Sequence, residues 1–365
     1  MKILIVSMTP SSPITSGNRK WIVSQAQFLK ERGHNVYFLY VSCPVLFKQN
    51  SESHVISEMK TQWGNNLIVY KAGILSRIKL SLSYKMRKLL SKGYHTCDDL
   101  CPFLLPLFVK RLQKNKDFDA CVVNYYWLTK IFDNLVISKK VLNTHDCFSY
   151  KDMHAGKYAW MTTTPNEEAK AMQRCNYIFA LQETEAHFFQ HLSPKSHVLD
   201  VFCFFKFIET PIVGNHNILF LSGNNQYNIN GLDWFMQQVF PQLIKKYPDA
   251  KLVVGGAISE YARGLSCDNI QILGFVDAPI HFFMLGDVYI NPTYEGTGLK
   301  IKTFESISFD KITVTRTHST EGIYLPHSAP ILASDNPEQW IYFFEQIWEN
   351  NELISIIKKK NTCMH

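Results

Sequence analysis

Short apolar runs alternate with amphipathic stretches along this chain, and the cycle occurs twice. The first opens with Ile3-Leu-Ile-Val6 and passes a Pro/Ser-rich loop ending in Ser16-Gly-Asn18. A helical pattern follows, carried by Trp21, Ile22, Gln25, Ala26, Phe28 and Leu29, and stops at Arg32-Gly33 before a second strand, Asn35–Val41. That spacing predicts a strand–loop–helix–strand unit with a right-handed crossover and a parallel sheet. Further strands are predicted at Leu67–Tyr70, Ala120–Val123, Lys140–Asn143 and Tyr177–Leu181. Each ends in polar or glycine residues, where open parallel sheets place their ligands. The second cycle starts at Asn217–Ser222 and runs through a polar loop, Gly223–Gly231, into a helix marked by Leu232, Trp234, Phe235, Val239 and Phe240. Strands at Lys251–Gly255, Ile270–Gly274, Val288–Asn291 and Lys311–Thr315 complete it. The pattern therefore predicts an α/β chain of two doubly wound, Rossmann-like domains.

Length agrees with that division: 365 residues exceed one ordinary core and suit two. Pro211, Gly214 and Asn215 interrupt the pattern between 204 and 216, which sets the expected domains at 1–207 and 208–365. A hydrophobic content of 46% against 19% charged residues is that of a packed globular protein rather than a disordered one. Nine cysteines without a repeated spacing point to free thiols, and Cys97-x-x-x-Cys101 lacks the second pair a zinc site needs. The opening Met1-Lys-Ile-Leu-Ile-Val reads as a strand, too short for a secretion signal, and nothing approaches the ~20 apolar residues of a membrane span. A cytoplasmic protein is expected, soluble or peripheral on the inner face of the cytoplasmic membrane.

The net charge of +7 is unevenly placed. Lys71, Arg77, Lys79, Lys85, Arg87, Lys88 and Lys92 lie in one stretch without a single acid, interleaved with Ile74, Leu75, Ile78, Leu80, Leu82, Met86, Leu89 and Leu90. A basic amphipathic segment of this kind lies on an anionic membrane or forms an ordinary surface helix. No nucleic-acid-binding module accompanies it, so nucleic acid is not an expected partner.

The chemistry concentrates after the Val288–Asn291 strand, in Glu295-Gly-Thr-Gly-Leu-Lys-Ile-Lys-Thr-Phe-Glu305. Gly296 and Gly298 let the backbone approach a ligand, and a helix start offers unpaired N–H groups and the positive end of a dipole. Lys300 and Lys302 add mobile cations suited to a diphosphate. Glu305, in the second turn, is within reach of paired hydroxyls such as those of a ribose. A lone Gly-x-Gly with solvated lysines would be a plain helix start; the surrounding series decides the matter.

That series resembles the donor domain of a retaining GT-B glycosyltransferase of family 4 over residues 217 to 325. It comprises Phe220-Leu-Ser-Gly-Asn, Asn228-x-Asn230-Gly-Leu-x-Trp-Phe235, Leu252-Val-Val-Gly-Gly256, Ile272-Leu-Gly-Phe-Val276 and Gly286-Asp-Val-Tyr-Ile-Asn-Pro292. Gly296–Lys302 with Glu305, and Thr320-Glu-Gly322, complete it. The resemblance implies a GT-B architecture whose two domains face a central cleft, and transfer of a sugar from a UDP- or GDP-sugar with no cofactor and no metal. No Asp-x-Asp lies at the end of a predicted strand. The implied product is a bacterial surface polysaccharide, lipopolysaccharide, O-antigen or capsule, built on a glycan or lipid-linked acceptor.

The resemblance also assigns roles. Glu305 matches the second glutamate of the family's Glu-x7-Glu motif, on the donor's ribose; Glu295 stands ten residues before it rather than eight. Gly296, Thr297, Gly298 and Leu299 would bed the sugar and phosphates. Gly223 lies in the first loop of that domain, where relatives carry an Arg and a Lys; here no cation follows the strand, which leaves the diphosphate to Lys300 or Lys302. Glu321 would cap the nucleotide side. In the first half, Gly17 resembles the glycine that lets a loop meet the phosphates. His145, after the Lys140–Asn143 strand and beside Asp146, resembles a histidine near the transferred sugar. Glu183 and Glu185 either reach the cleft or cap a helix. A GT-B epimerase, an inverting transferase and a non-catalytic nucleotide-sugar-binding protein are the other readings. A nicotinamide dehydrogenase is disfavoured because the Ser7–Gly17 loop lacks Gly-x-Gly-x-x-Gly.

Overall fold

A computed structural model describes residues 1–14, 16–43, 52–90, 94–151, 153, 161–201, 206–265, 267–296, 298–322, 330–350 and 354. The chain divides into two compact units, Met1–Cys203 and Phe204–His365. Unit 1 holds strands β1 (Lys2–Ser7), β2 (Asn35–Ser42), β3 (Leu67–Lys71), β4 (Ala120–Asn124), β5 (Lys139–Asn143), β6 (Tyr177–Ala180) and β7 (His197–Asp200). Its helices are α1 (Gly17–Glu31), α2 (Glu52–Trp63), α3 (Ile74–Leu90), α4 (Leu105–Lys116), α5 (Pro165–Met172) and α6 (Glu183–Leu192). The strands form one sheet in the order β3-β2-β1-β4-β5-β6-β7, every neighbour parallel.

Residue alternation explains why these runs become central strands. Leu4 and Val6 of β1 join the cluster with Leu39, Val41, Cys121 and Val123, while Ile3 and Ile5 join the opposite cluster with Val36, Phe38, Ala120 and Val122. Both faces are covered by helices, so both sets must be apolar and the strand reads as a continuous hydrophobic run. The seven described cysteines are free thiols.

Unit 2 repeats the plan with β8 (Asn217–Leu221), α7 (Gln226–Gln238), α8 (Phe240–Lys246), β9 (Lys251–Gly255), α9 (Ser259–Ala262), β10 (Ile270–Gly274) and α10 (Pro279–Phe283). There follow β11 (Val288–Asn291), α11 (Ile301–Ser308), β12 (Ile312–Thr315), β13 (Ile331–Ala333) and α12 (Pro337–Glu349). Its six parallel strands run β10-β9-β8-β11-β12-β13. Again the inward alternation splits: Ile218, Phe220, Val288, Ile290, Ile312 and Val314 face Trp340 and Phe344 of α12, and Leu219, Val253 and Tyr289 face Phe282 and Phe283.

One expected loop is largely helix. The polar stretch 223–231 supplies the first turns of α7, because the Asn225 side chain accepts the Asn228 N–H at 3.0 Å and caps the helix. Gly231 lies inside that helix for a packing reason: a Cβ there would stand 3.0 Å from the Pro292 carbonyl and the Thr293 nitrogen. β7, β13, α2 and the 3-10 turns Tyr126–Asn134 are elements the hydrophobic pattern did not announce.

Candidate functional site

In a doubly wound sheet the ligand crevice opens where the chain leaves adjacent strands in opposite directions. In unit 2 that point lies between β8 and β11, and five segments meet there. They are the loop 222–225, the start of α7, the loop 292–300, the start of α11 and the 3-10 turn Thr317–Thr320. Asn228 ties the first two together, its amide nitrogen donating to the Gly223 carbonyl at 2.8 Å. Its amide oxygen accepts from the Lys302 ammonium, which also donates to Thr293 Oγ1 at 2.9 Å and Ser222 Oγ at 3.4 Å. Lys302 as a residue is half-buried, but its ammonium is deep, 5.8 Å from the centre of the Phe220 ring. Burial, aided by the charge of Lys300, pushes it down to about 7. All three oxygens that hold it are neutral.

Lys300 is placed differently from the expectation of a mobile cation. It is only 9% exposed, and its ammonium donates to the carbonyls of Gly296 at 3.2 Å and Gly298 at 3.1 Å. Gly296 and Gly298 have φ of 93° and 78°, a conformation glycine adopts without strain. His318 adds a second bond to the Gly296 carbonyl, donating from Nε2 at 2.7 Å, while its Nδ1 pairs with Glu321 at 3.2 Å. Together Lys300 and His318 occupy the carbonyl side of the glycine turn. Glu321, expected at the nucleotide, thus holds the histidine that braces this turn, and His318 itself carried no signal beyond a polar turn. Thr297 lies outside the described residues, and Leu299 is half-buried.

The two glutamates also separate. Glu295 accepts from the Asn230 side chain at 3.1 Å, which links the loop to α7. Glu305 sits in the second turn of α11, half-buried, near enough to Tyr289 for its charge to add to the burial that holds that phenol protonated. Next to Glu295, Tyr294 covers the Arg316 guanidinium at 4.7 Å, Trp234 covers it at 4.4 Å, and Asp335 pairs with it at 2.6 Å.

Unit 1 has its reversal point between β1 and β4, and the strand ends there are neutral. Asn124 donates to the Val6 carbonyl at 3.2 Å and accepts from Asn143 at 3.0 Å; Asn143 accepts from the Trp21 indole at 3.1 Å. His145 donates from Nε2 to Asn124 at 2.7 Å, because an amide oxygen only accepts. Asp146, next to it in sequence, pairs with Lys151. Tyr125 and His145 both have left-handed backbone, φ 72° and 63°, and their rings stack at 4.3 Å, with Trp127 on the other side of Tyr125 at 4.5 Å. Such strain persists where the surroundings over-determine it. Burial pushes His145 down to about 3, so its ring is neutral at any working pH. Gly17, exposed, is the first residue of α1, and the neighbouring Asn18 donates to the Tyr125 hydroxyl at 2.8 Å.

Of the two acids on α6, Glu183 is in solvent and Glu185 is buried, with one carboxylate oxygen lacking a hydrogen bond. Burial, with Asp146 and Glu168 nearby, pushes Glu185 up to about 8; burial likewise pushes Glu168 up to about 7 although it accepts from the N–H groups of Phe148 and Ser149. Among the described residues no group of three or more His, Cys, Asp or Glu is placed to hold a metal ion.

Residues 215–350 match the family described as Glycosyl transferases group 1. Over 392 aligned residues the chain is 23% identical to an uncharacterized 44.6 kDa protein in the cps region of Klebsiella pneumoniae, covering 98% of this chain and 93% of that protein. In three dimensions it is similar to TarM of S. aureus, with a TM-score of 0.70 at 10% identity over 99% of this chain and 94% of that one. It is also similar to HepE of Anabaena, solved with UDP and glucose, with a TM-score of 0.66 at 12% identity over 100% and 94% of the two chains.

Proposed function

We propose that this protein, a glycosyltransferase of GT-B fold whose residues 215–350 form a glycosyl transferases group 1 domain, transfers a sugar from a nucleoside-diphosphate sugar with retention of configuration. The observation that carries the donor part is the Lys302 ammonium. It sits at the ends of β8 and β11, held among the described residues by neutral oxygens of Ser222, Asn228 and Thr293. A buried cation without a counter-charge is costly, and a diphosphate supplies that charge. The adjacent starts of α7 and α11 add helix-end N–H groups.

As the sugar–phosphate bond breaks, negative charge grows on the leaving diphosphate and the sugar becomes cation-like. Lys302 and fixed N–H groups stabilise that charge without rearranging, each such contact contributing on the order of a few kcal/mol. Lys300 and His318 keep the glycine turn in place, and Glu305 takes the ribose hydroxyls. The acceptor hydroxyl attacks from the face the diphosphate leaves: the new bond to the anomeric carbon forms as its bond to the phosphate oxygen breaks, and the hydroxyl proton passes to that departing oxygen. His145 provides a neutral, oriented ring for the transferred sugar. The cps-region relative and the UDP complexes of HepE support a UDP- or GDP-sugar donor and an acceptor in capsule or related surface polysaccharide synthesis. A lipid-linked acceptor would be met at the inner membrane face through the basic segment 71–92.

Thermal-shift measurements with UDP, GDP and their sugars test the reading. A donor that binds the native state raises the melting temperature with its concentration, and Lys302→Met should remove that rise. If no nucleoside diphosphate shifts the melting temperature, the donor assignment fails. Product NMR then reports the anomeric configuration, and inversion would exclude the retaining route.

A further inference from the structure

The helix α3 is apolar on the wrong side for a water-facing protein. Ile74, Leu75, Ile78, Leu82, Met86 and Leu89 are all exposed, Leu75 at 82% and Leu89 at 86%, whereas Ser76 is buried. At 3.6 residues per turn the six exposed residues fall in one stripe about 120° wide. Leu80 anchors the opposite side, packed with Cys43, Ala72 and Tyr70. Tyr70 in turn meets Phe108 of α4 at 5.1 Å, so α3 and α4 are neighbours. The start of α4 continues the exposed surface with Phe103, Leu104 and Leu107, and the Lys79 ammonium lies 5.1 Å over the Phe103 ring.

We infer that α3 with Phe103, Leu104 and Leu107 is a membrane-contact surface that lies in the headgroup layer of an anionic bilayer. This rests on the membrane-face reading above and adds its residues and geometry. Apolar patches of this extent mark interaction sites, and the charge pattern selects the partner. From Lys71 to Lys92 there are seven basic residues and no acid; Lys79 is exposed at the edge of the stripe and Lys85 is exposed within it. A second copy of the same face would bring like charges together, which costs affinity. Anionic headgroups accept them while the leucine and isoleucine side chains enter the acyl boundary, the arrangement of an in-plane amphipathic helix. Long lysine stems allow the ammonium groups to stay at headgroup level.

Vesicle flotation tests it, with phosphatidylcholine vesicles prepared with and without phosphatidylglycerol. The full chain should float with the anionic vesicles and not with the neutral ones. Leu75→Ser combined with Leu82→Ser, and separately Lys79→Gln combined with Lys85→Gln, should each reduce the floated fraction at least tenfold. Their melting temperatures should stay unchanged, since the altered side chains are exposed. The inference is overturned if the wild type does not float, or if the leucine pair leaves flotation unchanged. It is also overturned if sedimentation reveals a dimer that the leucine pair dissociates while no vesicle is bound. The donor-induced rise in melting temperature separates the two readings: its persistence without flotation removes the membrane surface alone, and its absence removes the donor assignment.

Discussion

The two units share one architecture but end their central strands in opposite chemistry. At the β1/β4 point of unit 1, asparagine amides and stacked Tyr125 and His145 rings satisfy one another and carry no net charge. At the β8/β11 point of unit 2, an ammonium is buried among neutral oxygens and two glycines in left-handed conformation open the backbone. A doubly wound sheet thus fixes where a ligand sits, and the loop residues fix what kind. The contrast extends to buried groups that charge near neutral pH: unit 1 encloses two carboxyls held above their usual range, Glu168 and Glu185, and unit 2 encloses a lysine held below its own, Lys302. Their effects on stability have opposite sign. The raised acids stabilise fully below their unfolded value, and that contribution is lost as pH rises through about 7 to 8. The depressed lysine stabilises at high pH, and its contribution is lost as pH falls from its unfolded value through about 7.

The largest expected effect tests the division of labour. Lys302→Met should weaken UDP or GDP binding at least a hundredfold, about 3 kcal/mol, while His145→Gln changes the same affinity less than twofold and lowers turnover. Equal losses of affinity in calorimetry would erase the distinction between the units. Next, Glu185→Gln removes a carboxyl that is neutral in the native state only below about 8. It should raise unfolding stability at alkaline pH by on the order of 2 kcal/mol and lessen the fall of the denaturant midpoint between about pH 5 and 8, leaving the part due to Glu168. A midpoint that falls as steeply in the variant as in the wild type would place the sensitivity elsewhere. Glu305→Ala should weaken donor binding about tenfold, or 1.4 kcal/mol, with free UDP and UDP-sugar affected alike if the ribose is what it holds. The smallest effect is pH dependence of binding itself. Diphosphate favours the protonated Lys302, so affinity should fall severalfold per pH unit above about 7. Lys302→Met should be flat, and a wild-type affinity that rises with pH would reverse the assignment.

Much of the fold was legible because strands covered on both faces must be apolar at every position, and such runs as Ile3–Val6 and Val288–Asn291 stand out. Short strands at the sheet edges did not: His197–Asp200 is mostly exposed and therefore carries no hydrophobic signature. The 295–305 segment stood out in the sequence for its glycines and lysines, yet sequence spacing could not divide the work of those lysines. Lys300 precedes the helix and folds back on the turn, whereas Lys302 enters the crevice, and only the backbone path of the glycines decides that. Asn228, read within a polar loop, proved to be a capped helix residue reaching both sides of the crevice. His318 was invisible for a simpler reason: its hold on the glycine turn is through a backbone carbonyl, which has no sequence identity.

Gly231 lies behind the site, inside α7, yet it sets a tolerance. With hydrogen in place of a methyl group, α7 rests directly on the backbone of Pro292 and Thr293, and the Thr293 hydroxyl is one of the grips on Lys302. Any larger residue at 231 would have to push that backbone outward by a few tenths of an ångström, and the ammonium would move with it. The position of the site's central charge is therefore gauged from behind, by the thickness of a helix, and a search for specificity confined to ligand-facing residues would pass it by.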